Sequence, residues 1–151
     1  MFFIFNNKKY LTHKTLNHVI SVFSEEIKNA KPLLFSNAVN HAISLNFVND
    51  REIQILNTTY RNKDKPTDVL SWGFLLSPLH TNEIAGEIYI SVDTLKRQAR
   101  AKRKSIPNEL IFLIVHALLH IFEYDHQTDE QEAEMDLLTD RVISKLCIDY
   151  L

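Results

Sequence analysis

Residues 110–126 read LIFLIVHALLHIFEYDH, and this stretch decides how the chain must fold. Its first six residues are all apolar, so a helix formed here is apolar on every side and has to be buried. Ser105 and Pro107 are residue types that begin helices, and we therefore predict a helix from Pro107 to about Phe122. A buried helix needs other elements packed around it, and the remainder of the chain has to supply them.

Three histidines in this stretch have the spacing of metal ligands. His116 and His120 are four residues apart, which places their Cβ atoms about 6 Å apart on one helix face. Residues 123–125 continue a helix poorly, so the chain can turn and bring His126 back over the first two. Three neutral imidazoles suit zinc and leave a fourth position for water, as in catalytic sites. The spacing predicts one zinc ion per chain, or another divalent metal in its place.

The ordinary interpretation of a helical histidine is a core or surface residue without a metal. In a buried helix that interpretation leaves two imidazoles desolvated, at a cost on the order of 1–3 kcal/mol each, whereas a metal removes the penalty. The other histidines share no such spacing, and for them the ordinary interpretation is favoured; they are His13, His18, His41 and His80.

Outward from the buried helix, the hydrophobic pattern alternates between strand and helix periods. The predicted elements are a strand over residues 1–5, a helix from Leu11 to Ala30 with Thr12 as N-cap, a strand from Val39 to Val48, a short helix capped by Asn49 or Asp50, strands at 68–74 and 86–91, a basic helix from about Val92 and a last helix from Thr128 to Leu146. This order, approximately βαβαββααα, predicts an α/β or α+β fold in which helices pack on a small mixed sheet.

Composition predicts a single compact domain over residues 1–151. The chain is 45% hydrophobic and 24% charged, with two glycines, four prolines and no linker-like stretch. Cys147 is the only cysteine, so it cannot form an internal disulfide. We interpret it as a residue that packs a helix, and a single free cysteine fits a reducing cytosol. The apolar opening Met1–Phe5 is too short for a signal peptide or a membrane span. We therefore expect a cytoplasmic protein without a membrane segment.

Charge gives no broad indication of nucleic-acid binding, because the net charge is −2. Basic residues nevertheless cluster at two places. Six of the nine residues from 96 to 104 are basic, and Arg61, Lys63 and Lys65 form a second group. From composition alone, the first run is interpreted as a solvated helix face. Whether it binds RNA depends on what lies beside it.

The histidine spacing is shared with zinc proteases, whose motif H-E-x-x-H-x-x-G-x-x-H supplies a glutamate as general base. Here Ala117 occupies the glutamate position and Glu123 the glycine position. A methyl group cannot accept a proton, so the ordinary protease mechanism lacks its base.

Residues 116–126, HALLHIFEYDH, resemble the metal motif H-G-x-L-H-L-x-G-Y-D-H of the YbeY family, the bacterial metallo-endoribonucleases of ribosomal RNA maturation and ribosome quality control. Residues 56–71, LNTTYRNKDKPTDVLS, and residues 86–91, GEIYIS, with Gln98 beyond them, match two further family stretches. The resemblance spans roughly residues 45–146. Ala117 and Glu123 replace the two family glycines, and Glu123 is expected to need a left-handed backbone that costs about 1–2 kcal/mol.

The resemblance implies a single-strand-specific, metal-dependent endoribonuclease with ribosomal RNA and the ribosome as partners. It implies that Arg61 faces the metal and holds the phosphate while a zinc-activated water hydrolyses it, and a guanidinium suits that task. Five further cations would guide the RNA backbone, and two carboxylates would orient a histidine or the water. The cations are Lys63, Lys65, Lys96, Arg97 and Arg100, and the carboxylates are Asp125 and Glu87. For Asp125 a role in a surface turn is an equal alternative.

Two alternatives stay open at this point. One is a metal-dependent hydrolase of another bond, such as a protease. The other is a non-catalytic ribosome- or RNA-binding module with structural zinc, which requires a fourth protein ligand such as Asp125 or Glu123.

Overall fold

The computed structural model describes residues 1–7, 9–77 and 83–146, and within these ranges it contains four strands and six helices. His80 and Cys147 lie outside the described residues. In chain order the elements are β1 Phe2–Phe5, α1 His13–Ala30, α2 Pro32–Ala38, β2 Ala42–Val48, α3 Asp50–Arg61, β3 Val69–Gly73, β4 Ile84–Ser91, α4 Val92–Ala101, α5 Ile106–Ile121 and α6 Asp129–Leu146.

The predicted elements are confirmed, with one helix added. Pro32 opens α2 immediately after α1 ends, so Val39 caps a helix and β2 starts only at Ala42. Seven residues are too few to display a helical period, which is why the sequence pattern missed α2. The predicted N-caps Thr12 and Asn49 both accept a backbone N–H through their side chains.

The four strands form one mixed sheet in the order β1-β2-β4-β3. The β1–β2 and β2–β4 pairs are parallel, and β3 runs antiparallel to β4 at the edge. One sheet face contributes Ile43, Leu45, Ile88 and Ile90 to the core, together with α1 and the buried α5. The fold is α+β, as predicted, and α5 lies at its centre.

The only two glycines of the chain, Gly73 and Gly86, pair with each other across β3 and β4. A Cβ on Gly73 would lie 2.8 Å from the carbonyl oxygen of Ile121, and one on Gly86 would lie 2.7 Å from the Ile121 Cδ1 atom. Both distances are shorter than a Cβ contact allows, so the missing side chains let the end of α5 rest directly on the sheet. Because Ile121 follows His120, this contact sets the position of a predicted metal ligand.

Among the described helices, none is on its own both long and apolar enough to cross a membrane. The pair α4 and α5 satisfies the length and composition test jointly, with a bend of 114° between the two helices.

Candidate active site

The three predicted ligands converge at the end of α5. His116 and His120 lie in its last two turns, His126 lies just beyond it, and one ring nitrogen from each comes within 4.8 Å of the other two. The Nε2 atoms of His116 and His120 are 3.2 Å apart. Two ligands of one tetrahedral zinc ion stand about 3.3 Å apart, given zinc–nitrogen bonds of about 2.0–2.1 Å. The nitrogens therefore fit a single small ion.

A tight turn after α5 brings His126 back to the helix. Glu123 has a φ of 63°, which is the left-handed conformation predicted from the sequence. Its N–H donates to the His120 carbonyl and the Tyr124 N–H donates to the Leu119 carbonyl, both at 3.0 Å, which is the hydrogen-bond pattern of a Schellman motif. The turn thus forms with a glutamate where a glycine is usual, and Glu123 carries the backbone strain of the left-handed conformation.

The surroundings keep these imidazoles neutral and oriented. His120 Nδ1 lies 2.9 Å from the Tyr124 carbonyl, to which it donates, so its Nε2 keeps a free electron pair. Burial, reinforced by the neighbouring histidines, lowers the pKa of His116 from 6.5 to about 4. Burial is also the main cause that lowers the pKa of His120. Near neutral pH both rings are therefore unprotonated, as metal ligands must be.

Two alternative functions find no support in this geometry. The cluster contains three ligand residues within the described part of the chain, so a closed four-ligand structural site is not formed there. Asp125 Oδ1 instead accepts the His126 backbone N–H at 2.8 Å. Ala117, at the position of the protease base, is fully buried. The cluster leaves a coordination position open and supplies no protease-type base.

The histidines form one wall of a cleft of about 880 Å³. The same cleft is also lined by three cations, Arg61, Lys63 and Lys65, which we call the basic wall. Arg61 ends α3, and its Nη2 donates to the carbonyl of Ser71 on the edge strand β3 at 3.3 Å. The structure therefore brings the predicted catalytic arginine and the predicted ligands to one cleft.

Hydrogen bonds of α3 shape the loop that carries the basic wall. Asn62 adopts a left-handed conformation at the helix end, and the Lys63 N–H donates to the Asn57 carbonyl at 3.2 Å. The buried side chain of Asn57 donates from Nδ2 to the Lys65 carbonyl at 2.8 Å. Sequence reasoning missed Asn57, although a lone asparagine on the apolar side of a short amphipathic helix is a signal for such a role.

The remaining predicted residues lie elsewhere. Lys96, Arg97 and Arg100 are on α4 and do not line the cleft. Arg97 is paired with Asp50 of α3 at 2.8 Å. Glu87 lies in β4 opposite Trp72, also away from the cleft lining.

The charges along the cleft nearly cancel without a metal. Arg61, Lys63 and Lys65 are matched by three carboxylates, which belong to Asp68, Glu123 and Asp125. The Asp68 carboxylate, which sequence reasoning also missed, accepts hydrogen bonds from Val69, Thr67 and Gln98. A bound divalent ion would supply the excess positive charge that attracts a phosphate.

A family model described as endoribonuclease YbeY matches residues 4–147. The chain is 34% identical to the endoribonuclease YbeY of Malacoplasma penetrans over 149 residues, which is 95% of this chain and 92% of that one. It is 37% identical to the endoribonuclease YbeY of Alkaliphilus oremlandii over 111 residues, covering 72% and 74% of the two chains.

A solved structure shares the fold. The solution structure of a Thermotoga maritima protein superposes with a TM-score of 0.53 at 23% identity, covering 96% of this chain and 91% of that one. At this identity the likeness supports the α+β architecture alone.

Proposed function

The chain belongs to the endoribonuclease YbeY family, and on that premise we propose that it cuts single-stranded RNA with a zinc ion during ribosomal RNA processing and ribosome quality control. The whole of residues 1–151 would act as one metal-dependent endoribonuclease domain in the cytoplasm. Within the proposal the ribosome and its RNA are the partners, and one ion is held per chain.

The observation that carries the proposal is that the three histidines and the basic wall line one cleft. His116, His120 and His126 supply three ring nitrogens, and Arg61 supplies a guanidinium to the same cleft. A zinc ion held by the three histidines would supply Lewis acidity and would lower the pKa of a coordinated water. An RNA phosphate fits between the walls by charge alone, without any base being recognised.

The residues of the chain then have separate tasks. Arg61 holds the phosphate oxygens as negative charge develops on them, and its hydrogen bond to Ser71 orients it toward the cleft. Lys63 and Lys65 bind the flanking backbone. Asp125 keeps the His126 segment in place through its hydrogen bond to the His126 N–H.

The more distant predicted residues would act differently. Contacts of RNA with Lys96, Arg97 and Arg100 would be made outside the cleft, by a longer strand that reaches α4. Glu87 does not line the cleft, so it would orient a histidine or a water only through an intervening group.

The proposal is tested by single-turnover cleavage of a labelled, unstructured RNA. Arg61→Ala should cut about a hundredfold more slowly than the wild type, because one transition-state contact is lost. Arg51→Ala is the matched control, since Arg51 is an exposed arginine at the other end of α3. Metal content and circular dichroism are measured on each preparation.

The assay has clear negative outcomes. If metal-loaded, nuclease-free wild type leaves the RNA intact, or if Arg61→Ala cuts as fast as Arg51→Ala, the proposed mechanism is rejected. Duplex RNA and an unfolded protein serve as comparison substrates, and cleavage of the protein would favour the protease alternative. In cells, depletion of the protein should cause ribosomal RNA precursors to accumulate.

A further inference from the structure

Three aromatic side chains form a continuous array beside the cleft, and we call them the aromatic platform: Tyr60, Trp72 and Tyr89. The rings of Tyr60 and Trp72 are 5.4 Å apart and those of Trp72 and Tyr89 are 5.6 Å apart, each pair edge to face. Tyr60 is 64% exposed and the other two are partly exposed. Neither the histidine cluster nor the basic wall uses any of these rings.

The platform and the cleft share two chain segments, the end of α3 and the edge strand β3. Arg61 of α3 donates a hydrogen bond to the Ser71 carbonyl of β3. The neighbouring residue on each element makes a second contact, because Tyr60, just before Arg61, packs against Trp72, just after Ser71. Side chains alternate along a strand, so Ser71 and Trp72 face opposite sides of the edge strand. The aromatic platform therefore lies on the Trp72 side of β3 and borders the cleft at the end of α3.

We propose that the aromatic platform stacks the bases of a single-stranded RNA whose phosphate lies in the cleft, and this proposal rests on the proposed function. The Cα atoms of Tyr60 and Arg61 are about 3.8 Å apart, so a phosphate at Arg61 brings a neighbouring base to the exposed Tyr60 ring. Unstacked bases of single-stranded RNA are commonly received by aromatic side chains in this way.

The charge pattern favours the same arrangement. Arg61, Lys63 and Lys65 attract the RNA backbone to the cleft side of β3. Glu87, which pairs with Trp72 on the platform side, repels phosphates from the rings. This division of charge favours an RNA whose backbone lies in the cleft and whose bases lie on the rings. Because every base has a π-face, the platform adds affinity without strong sequence preference.

Trp72 is the only tryptophan of the chain, so intrinsic fluorescence reports on the platform directly. The probe is a short 2′-O-methyl oligoadenylate, shown on a gel to stay intact, and the comparison is an abasic oligonucleotide with the same backbone. We expect saturable quenching of Trp72 by the first and little change with the second. Raising the salt concentration should weaken binding of both oligonucleotides, because it screens their phosphates. The ratio of the two affinities should stay nearly the same.

Substitutions of Tyr60 provide a second test of the platform. Tyr60→Ala should bind the oligoadenylate roughly tenfold more weakly, since one stacking contact is lost. Tyr60→Phe should bind like wild type because the ring remains. Leu137→Ala, which removes an exposed apolar side chain from α6, should also bind like wild type. In cleavage assays Tyr60→Ala should raise KM while leaving kcat and metal content nearly unchanged.

The outcomes separate the two proposals. If wild type binds and cuts RNA but Trp72 responds equally to both oligonucleotides, or Tyr60→Ala binds as tightly as Tyr60→Phe, the platform proposal is overturned and the proposed function stands. If wild type neither binds nor cuts single-stranded RNA, the proposed function fails and the platform proposal with it.

Discussion

The two walls of the cleft are held by different forces. The histidine wall stands on α5, which is buried along almost its whole length and pressed against the sheet at Gly73 and Gly86. The basic wall stands on an exposed helix end and loop, held by hydrogen bonds such as that from Asn57 to Lys65. The difference shows that His116 and His120 are fixed by core packing, whereas His126 and the cations depend on a few local polar contacts.

The largest effect is expected from removing a ligand of the histidine wall. His120→Ala should reduce the metal from about one ion per chain to nearly none, because two imidazoles hold zinc far less well than three. Elemental analysis of purified protein measures this. His18→Ala is the control, since His18 is exposed on α1, and it should keep its metal. Equal metal content in both variants would reject the histidine site.

The second largest effect is expected from acid, which should lower the stability of the metal-free protein. The pKa of His116 is lowered to about 4 in the folded protein, while the unfolded value stays near 6.5. Between these values the unfolded chain binds a proton that the folded chain does not, so stability falls as pH falls from about 6.5 to 4. Urea unfolding at several pH values measures the slope, and His116→Gln should flatten it. An equal slope in the variant would contradict the assigned cause.

A smaller effect is expected when the basic wall loses its buried hydrogen bond. Asn57→Ala should cost about 1–2 kcal/mol of unfolding free energy, because the Lys65 carbonyl loses its partner. It should also slow RNA cleavage without changing metal content. Asn29→Ala is a matched control, since exposed Asn29 makes the same type of bond to the Glu25 carbonyl of α1. If both variants unfold alike, the loop does not depend on Asn57.

The smallest effect compares two turns of the same kind. Glu123 and Arg103 have φ values of 63° and 54°, and both end their helices in Schellman motifs. Replacing either by glycine should stabilise the protein by roughly 0.5–1 kcal/mol, because relief of left-handed strain exceeds the added entropy of the unfolded chain. Thermal unfolding measures both. Loss of metal in Glu123→Gly, with Arg103→Gly unaffected, would show that Glu123 does more than turn the chain.

The elements whose residues interact over short sequence distances were the ones that sequence reasoning predicted well. Several predicted features depend only on neighbours within a few residues. They are the period and start of α5, the left-handed Glu123, and the caps Thr12 and Asn49. Helix α2 was missed because its seven residues are shorter than two helical turns. The basic run on α4 shows the other limit, since charge spacing does not reveal which surface a helix presents to the cleft.

The sequence by itself determined the histidine set, since helical periodicity and one turn bring three imidazoles together within eleven residues. Only the tertiary structure decided what faces them. The edge position of β3 and its antiparallel pairing with β4 place Ser71 beside Arg61 and Trp72 beside Tyr60. Those contacts join residues ten and twelve positions apart on two different elements, and their pairing follows from sheet order and core packing, which no local pattern encodes.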